Sequence, residues 1–417
     1  MGMRKFFKRL GPGFITGAAD DDPSGIATYS QTGAQFGYGQ LWTALFSFPF
    51  MTAVQEMCGR IGMVTGKGLS GVIKKYYSRP VLGVAVTLLV VANAVNIGAD
   101  LGAMASAVQM LFGLPFELWL FGLTALTLGL EIFVSYPRYA KFLKYLTLSL
   151  FAYIFVALIV KQDWGNILHS TILPSFSWNK AYIMNIVAIL GTTISPYLFF
   201  WQADEEVEEE ISEHKIAEIG GRKPKVSGTM IRGMRLDTML GMFFSNLVMF
   251  FIIVTAASTL GAGGITSIDT ATQAAEALRP LAGDFSFILF TLGILGTGLL
   301  AVPILAGSAS YAVSEAANIK SGLSKKFSDA KGFYAIITLA TCAGLTVNFL
   351  GIPPFKMLYY TAVFNGLAAP LLLILILLIA NNKKIMGKHV NGVISNILGG
   401  IIAIVMTAAG IAVLIMA

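Results

Sequence analysis

Long apolar stretches recur along this chain, each close to the roughly 20 residues a helix needs to cross a bilayer. Eleven spans are predicted, at about 11–36, 40–63, 80–110, 116–135, 139–161, 181–203, 230–258, 284–314, 332–351, 356–380 and 390–416. Between spans 7 and 8, residues 269–281 read as a short amphipathic helix.

Two spans carry polar interruptions at matching places. Span 1 reads GPGFITGAADDDPSGIATYSQTGAQFG, with Asp20, Asp21 and Asp22 halfway along, then Pro23, Ser24 and Gly25. Charge at that depth is costly and marks a substrate pathway. Pro23 removes a backbone donor and clashes with the preceding turn. Asp22 before Pro23 reads as an N-cap followed by proline at the first helical position. Span 1 is therefore expected to stop near Asp22 and restart after it. Span 6 reads IVAILGTTISPYLFFWQ, where Ser195-Pro196 repeats the pattern of capping residue and proline. Spans 1–5 and 6–10 then form two repeats, each opening with an interrupted helix. Five helices per repeat force the two into opposite orientations. Corresponding broken helices in inverted halves point to a midplane binding site, and their unwound carbonyls must line a cavity rather than face lipid. A lone proline kink has a plainer reading as a bend, but three aspartates exceed what capping needs.

Composition agrees. Of 417 residues, 56% are hydrophobic and 12% charged, against about 25% charged in soluble domains; mean hydropathy is +0.74. Cys58 and Cys342 lie in apolar runs, which argues against a disulfide framework. His169, His214 and His389 are too scattered for a His-based metal cluster. No cleavable signal is expected, because the apolar segment after MGMRKFFKRL is too long and too acidic; MGMRKF also lacks the Ser or Thr of a myristoylation signal.

Charge sets an expected topology. With the N-terminus in the cytoplasm and eleven alternating spans, every Lys and Arg except Lys161, Lys180, Arg279 and Lys356 falls on the cytoplasmic side, as the positive-inside rule requires. The C-terminus is then extracytoplasmic, and the net charge of +7 reports topology rather than nucleic-acid binding. The acidic run DEEVEEEISEH, Asp204 to His214, has two readings: a solvated helical extension, or a vestibule that collects cations.

The segment GPGFITGAADDDPSGIATYSQTGAQFGYGQLW resembles the opening of the NRAMP divalent-metal transporters, with their GPG start, DPGN motif and GAQFGY stretch. LGTTISPY resembles the family's helix 6 motif, A-x-x-M-P-H, and residues 99–115 resemble its helix 3. The likeness runs from residue 11 to about 380. It implies an all-α integral membrane protein of the LeuT-like fold: a 5+5 inverted repeat with discontinuous helices 1 and 6, plus an eleventh transmembrane helix. The whole chain, 1–417, is then one polytopic domain, with repeat one at about 11–161, repeat two at about 181–380 and the extra helix at about 390–416.

By the same resemblance Asp22 keeps the metal-binding aspartate, and Gly25 replaces the ligating asparagine. Thr192 stands where an alanine offers its carbonyl, Ser195 where a methionine binds transition metals, and Tyr197 where a histidine is tied to proton coupling. Of two helix 3 acids, Asp100 matches one, without an obvious partner, and the other falls near Ile97. This set resembles the NRAMP-related magnesium transporters. Ligand chemistry points the same way, since thioether suits softer metals whereas carboxylate, hydroxyl and carbonyl suit Mg²⁺ and Mn²⁺. Mg²⁺ keeps several waters and binds through one or two carboxylates, and losing Met and Asn side chains enlarges the site for a hydrated ion. Asn365 in span 10 is an expected further contributor. Asp20 and Asp21 cannot share Asp22's direction, helix neighbours being about 100° apart, and at least one of them is expected to line the ion's path. Asn93, Asn96, Glu56, Glu131, Asp237 and Glu315 read as packing or interface groups.

The expectation is an inner-membrane secondary transporter carrying Mg²⁺, and also Mn²⁺, into the cytoplasm without proton coupling, with no cofactor, no nucleic acid and no obligate protein partner. The rivals are a proton-coupled transition-metal transporter of the NRAMP type, and an amino-acid symporter on the same fold, whose substrate carboxylate three aspartates would repel. No nucleophile motif, phosphate loop or zinc spacing supports an enzyme.

Overall fold

Helix breakers divide the chain into its elements. The computed structural model describes residues 11–134, 147–221 and 223–416, and all regular structure among them is helical. Span 1 is two helices, α1 (Pro12–Asp20) and α2 (Pro23–Phe36). Asp21 and Asp22 between them leave helical geometry, Asp22 at φ −69°, ψ 172°. Span 2 is α3 (Trp42–Thr65), followed by the short α4 (Leu69–Tyr76). Spans 3 and 4 are α5 (Arg79–Phe112) and α6 (Phe116–Phe133). The described part of span 5 ends in α7 (Phe151–Ile159), and α8 (Trp164–Ile172) is a short connector. Span 6 breaks into α9 (Lys180–Thr193) and α10 (Pro196–Ser212). Spans 7 to 11 follow as α11 (Gly228–Ala256), α12 (Ser286–Ala317), α13 (Lys331–Thr346), α14 (Pro354–Asn381) and α15 (Val393–Met416). The predicted amphipathic segment forms short turns at 271–282, opened by a Thr270–Gln273 capping box. The start of span 5 and Arg4, Lys5, Lys8, Arg9, Arg138, Lys141, Lys144 and Arg222 lie outside the described residues.

Among the described residues, eight helical segments are long and apolar enough to cross a membrane. Span 1 carries its polar break, and span 5 continues beyond the described residues. The fold is the expected all-α one, two groups of five spans each opening with a broken helix, with α15 as the eleventh.

Loops join on two faces. On one, Gly220 donates its N–H to the carbonyl of Gly66 at 2.7 Å, Lys223 reaches the carbonyl of Ile385, and Arg60 bonds His389 O and Asn391. This face carries the described basic loops and is here called the basic face. On the opposite face Tyr38 bonds Gln162, Gln31 bonds the carbonyl of Thr266, and Lys356 pairs with Asp269.

Packing fixes α1 against α11. Gly17 and Gly241 meet so closely that a Cβ on Gly17 would collide with the Gly241 backbone. Asp237 on α11 accepts the N–H of Gly11 at 2.9 Å and of Phe14 at 3.2 Å, satisfying donors that a helix start leaves free. Asp237 is thus an interface group, as expected. So is Glu56, which pairs with Arg60 at 3.0 Å and Arg235 at 2.9 Å and ties α3 to α11.

One reading of the acidic run is overturned. It is not a solvated extension: α10 continues to Ser212, and Asp204, Glu206, Glu208 and Glu210 are buried. The helix packs between α3 and α12 instead of projecting into water. Glu206, Glu209 and Glu213 line a cleft of about 370 Å³ on the basic face together with Asp237 and Lys215.

Candidate functional site

Two helix breaks meet at the centre of the bundle. At the first, Asp22 caps α2: its Oδ1 accepts the N–H of Gly25 at 2.8 Å and the hydroxyl of Ser24 at 2.6 Å. The positive end of α2 further favours this carboxylate. Asp20 and Asp21 have the opposite setting, since they end α1, where the helix dipole is negative and favours cations. Both lean on one hydroxyl, Ser245 of α11, while Asp22 looks toward α5. The expected divergence of the three aspartates is therefore present. A hydroxyl has a single proton to give, so Ser245 serves two carboxylates incompletely, and Oδ1 of Asp20 has no hydrogen-bond partner among the described residues.

At the second break, Ile194 and Ser195 leave helical geometry, and Pro196 opens α10. Ser195 stands at the N-cap, but its side chain does not cap. Its hydroxyl donates back to the carbonyls of Gly191 at 2.6 Å and Thr192 at 2.8 Å. α9 ends with free carbonyls one turn earlier, and the serine hydroxyl serves these rather than the first turn of α10. The Thr192 carbonyl therefore has a donor already. The Thr192 hydroxyl lies 3.4 Å from that of Ser24, which joins the two breaks. Tyr197 donates to the carbonyl of Ala19 at 2.9 Å and pins α10 to α1.

No enlarged cavity lies beside Gly25. A Cβ there would meet the Asp20 carbonyl, the Thr192 hydroxyl and the Tyr29 ring, each at 3.3 Å. Interiors are close-packed, so side chains occupy the volume that the sequence assigned to a larger site.

Two residues change the picture most. Asn96 of α5 donates to Asp22 Oδ2 at 3.0 Å and to Asp100 Oδ2 at 3.1 Å. Asn365 of α14 donates to Asn96 Oδ1 at 3.3 Å. The expectation that Asp100 lacks a partner is corrected: Asn96, one helical turn earlier, holds it beside Asp22. Asn96 was also expected to be a packing group. Its spacing of four from Asp100 puts both on one helix face, a signal that could have grouped them. Asn365 stands where expected, and Asn93 is a packing group, bonded to Leu305 O and Ser308.

The assembly is closed on both sides. Asp22, Asn96, Asp100, Thr192 and Ser195 are buried. The cleft on the basic face and a second of about 220 Å³ on the opposite face, lined by Gln31, Gln35, Lys356 and Tyr360, include none of them. Burying carboxylates is expensive unless charge or hydrogen bonds compensate. The donor groups at the breaks are carboxylate, hydroxyl and carbonyl oxygens with two amides, a set suited to a hard cation.

A sequence model of the Nramp family (natural resistance-associated macrophage protein-like) matches residues 13–416. The chain is 25% identical over 409 residues to the divalent metal cation transporter MntH of Caldanaerobacter subterraneus, covering 96% of this chain and 91% of that protein. It is 27% identical over 408 residues to the protein of that name from Mycobacterium leprae, covering 95% and 89%. A solved manganese transporter of Eremococcus coleocola, in complex with an aromatic bis-isothiourea substituted compound, matches with a TM-score of 0.76 at 16% identity, over 99% of this chain and 88% of that one. A nucleobase-cation-symport-1 family transporter in a closed conformation, with bromovinylhydantoin bound, matches at 0.62 with 12% identity, over 98% and 91%. The structural likenesses are of fold, and the fold is LeuT-like.

Proposed function

Because this chain belongs to the Nramp family of divalent metal transporters, we propose that its cargo is Mg²⁺, with Mn²⁺ carried as well, and that the partly hydrated ion enters the cytoplasm by alternating access without proton coupling. The observation that carries this reading is the donor set where the helices break. Asp22 brings a carboxylate, Ser195 a hydroxyl where a relative's thioether would sit, and Thr192 a hydroxyl and a carbonyl. None is soft, so the donor that selects softer transition metals is missing, and the oxygens suit Mg²⁺ and Mn²⁺.

In this reading Asp22, Thr192 and Ser195 contact the ion or its water, and Gly25 contributes backbone and a short profile. Asn365 and Asp100 line the site through Asn96, while Asp20 and Asp21 lie on the route toward the basic face. Tyr197 stands in place of an imidazole and is a phenol, which titrates near 10 when unperturbed. The basic face is cytoplasmic, with the N-terminus on that side and the C-terminus outside. The two repeats run from about 11 to 161 and from about 181 to 380.

Uptake of this kind needs no proton. A charge crossing 100 mV gains about 2.3 kcal/mol, so a divalent ion entering a negative interior gains about twice that, a concentration ratio of roughly 10³. The rival is proton-coupled Mn²⁺ transport, favoured by the names of the relatives. Proteoliposomes holding a pH dye, with the membrane potential clamped, separate the two. Mg²⁺ uptake without internal acidification is expected; acidification that tracks ion uptake, or uptake of Mn²⁺ without Mg²⁺, overturns the reading.

A further inference from the structure

The acids of α10 are not equally provided for. Glu208 accepts from Tyr311 and Ser324, each at 2.8 Å, and Glu206 from Gln202 at 2.9 Å. The Glu210 carboxylate has no hydrogen-bond partner among the described residues but has the Lys215 charge near it. Asp204 differs from them all. It is 1% exposed, neither oxygen has a hydrogen-bond partner among the described residues, and the charged groups that bear on it are Glu315, Glu205 and Glu208, all acidic.

Glu315, near the end of α12, comes to the same spot. Its carboxylate accepts the N–H of Gly68 at 2.9 Å and of Gly71 at 2.7 Å, at the start of α4. A Cβ on Gly68 would collide with Asp204 Oδ1 and lie 2.6 Å from Glu315 Oε2. Two carboxylates from helices over a hundred residues apart therefore converge on a gap that only glycine leaves open. The charges of Lys67 and Lys74 bear on Glu315 but not on Asp204. Lys67 donates to the carbonyl of Gly220, Lys74 to the backbone carbonyl of Glu315, and among the described residues neither makes an ion pair. Glu315 itself is half-buried.

We propose that Asp204 and Glu315 form a second site for a hard divalent cation, at the basic-face end of α10 and separate from the break at Asp22. Two carboxylates with water completing the shell is a usual environment for Mg²⁺. The cation supplies the positive charge that the buried Asp204 lacks. Once seated, it ties α10, the continuation of the broken sixth span, to α12 and α4. The site thus senses the cation on the side of the membrane that the basic face meets.

The test counts Mn²⁺ bound to the purified full chain in detergent by electron paramagnetic resonance. The parent is expected to bind two ions, Asp204→Asn one and Asp22→Ala one. A parent count that Asp204→Asn leaves unchanged overturns the proposal, as does a parent count of one that Asp22→Ala abolishes. A count that Asp22→Ala leaves at two while Asp204→Asn lowers it supports this site and instead overturns the cargo site. Thermal unfolding guards against a misfolded variant. In EDTA, Asp204→Asn is expected to melt higher than the parent, because an uncompensated buried charge is gone. Its melting point should then rise less on adding Mn²⁺. A lower melting point in EDTA with an undiminished Mn²⁺ shift also overturns the proposal.

Discussion

Tyr197 on α10 donates its hydroxyl to the carbonyl of Ala19 on α1, 2.9 Å away, and so binds the second broken span to the first. The Ala19 carbonyl belongs to the last turn of α1, where no intrahelical donor is left for it. In the alternating access proposed above, opening the route toward the basic face separates α1 from α10, and this bond breaks in that step. Tyr197→Phe removes it while keeping the ring. The expected outcome is a stability loss of about 0.5–1.5 kcal/mol and faster opening, read as ion uptake that persists with an altered maximal rate. No pH dependence should appear or vanish with the substitution. Loss of coupled proton movement in proteoliposomes of the variant would assign Tyr197 a relay role instead.

In the proposed site Asp22 is the central carboxylate. Asp22→Ala takes away the carboxylate and the N-cap of α2, the latter worth about 1 kcal/mol. The fold should survive, since α2 is buried on most sides, and Mg²⁺ uptake should fall to background. A monodisperse Asp22→Ala protein with near-normal uptake would remove Asp22 from the site.

Asn96 serves two carboxylates with one amide. Asn96→Ala leaves an oxygen of Asp22 and one of Asp100 without that donor, at about 1–3 kcal/mol each. The variant should melt lower than the parent without ion. Its stabilisation by Mg²⁺ should be larger if the cation replaces the amide between the carboxylates. An equal Mg²⁺ shift in parent and variant would mean that Asn96 only packs.

In the proposed reading, ion selectivity rests on Ser195. Ser195→Met restores a soft donor, and uptake should shift from Mg²⁺ toward Mn²⁺ or Cd²⁺. The substitution also frees the carbonyls of Gly191 and Thr192. Gly25→Asn supplies the second missing side chain, but its Cβ must displace neighbours at 3.3 Å, so the double variant is expected to be less stable. Competition uptake assays decide: a double variant with the parent's ion preference would show that Ser195 does not face the ion.

The sequence by itself determined where most of the helices lie and where spans 1 and 6 break. A span is a local property, set by about twenty apolar residues in a row. A break such as Asp22-Pro23 is set by a missing N–H and a steric clash that no distant contact can repair. The order of broken and continuous spans then carried the architecture. Only the tertiary structure decided which polar groups meet. Helical spacing gives Asn96 and Asp100 a common face but cannot say that Asp22, 74 positions away in the chain, lies opposite. It likewise leaves open whether Ser195 turns forward to cap α10 or back to the carbonyls of α9. The acidic run after Trp201 read first as a solvated extension and second as a vestibule, because a row of carboxylates suits water as well as a buried cation. The packing of α10 between α3 and α12 resolved it, since burial depends on the neighbours a helix acquires and not on its own composition.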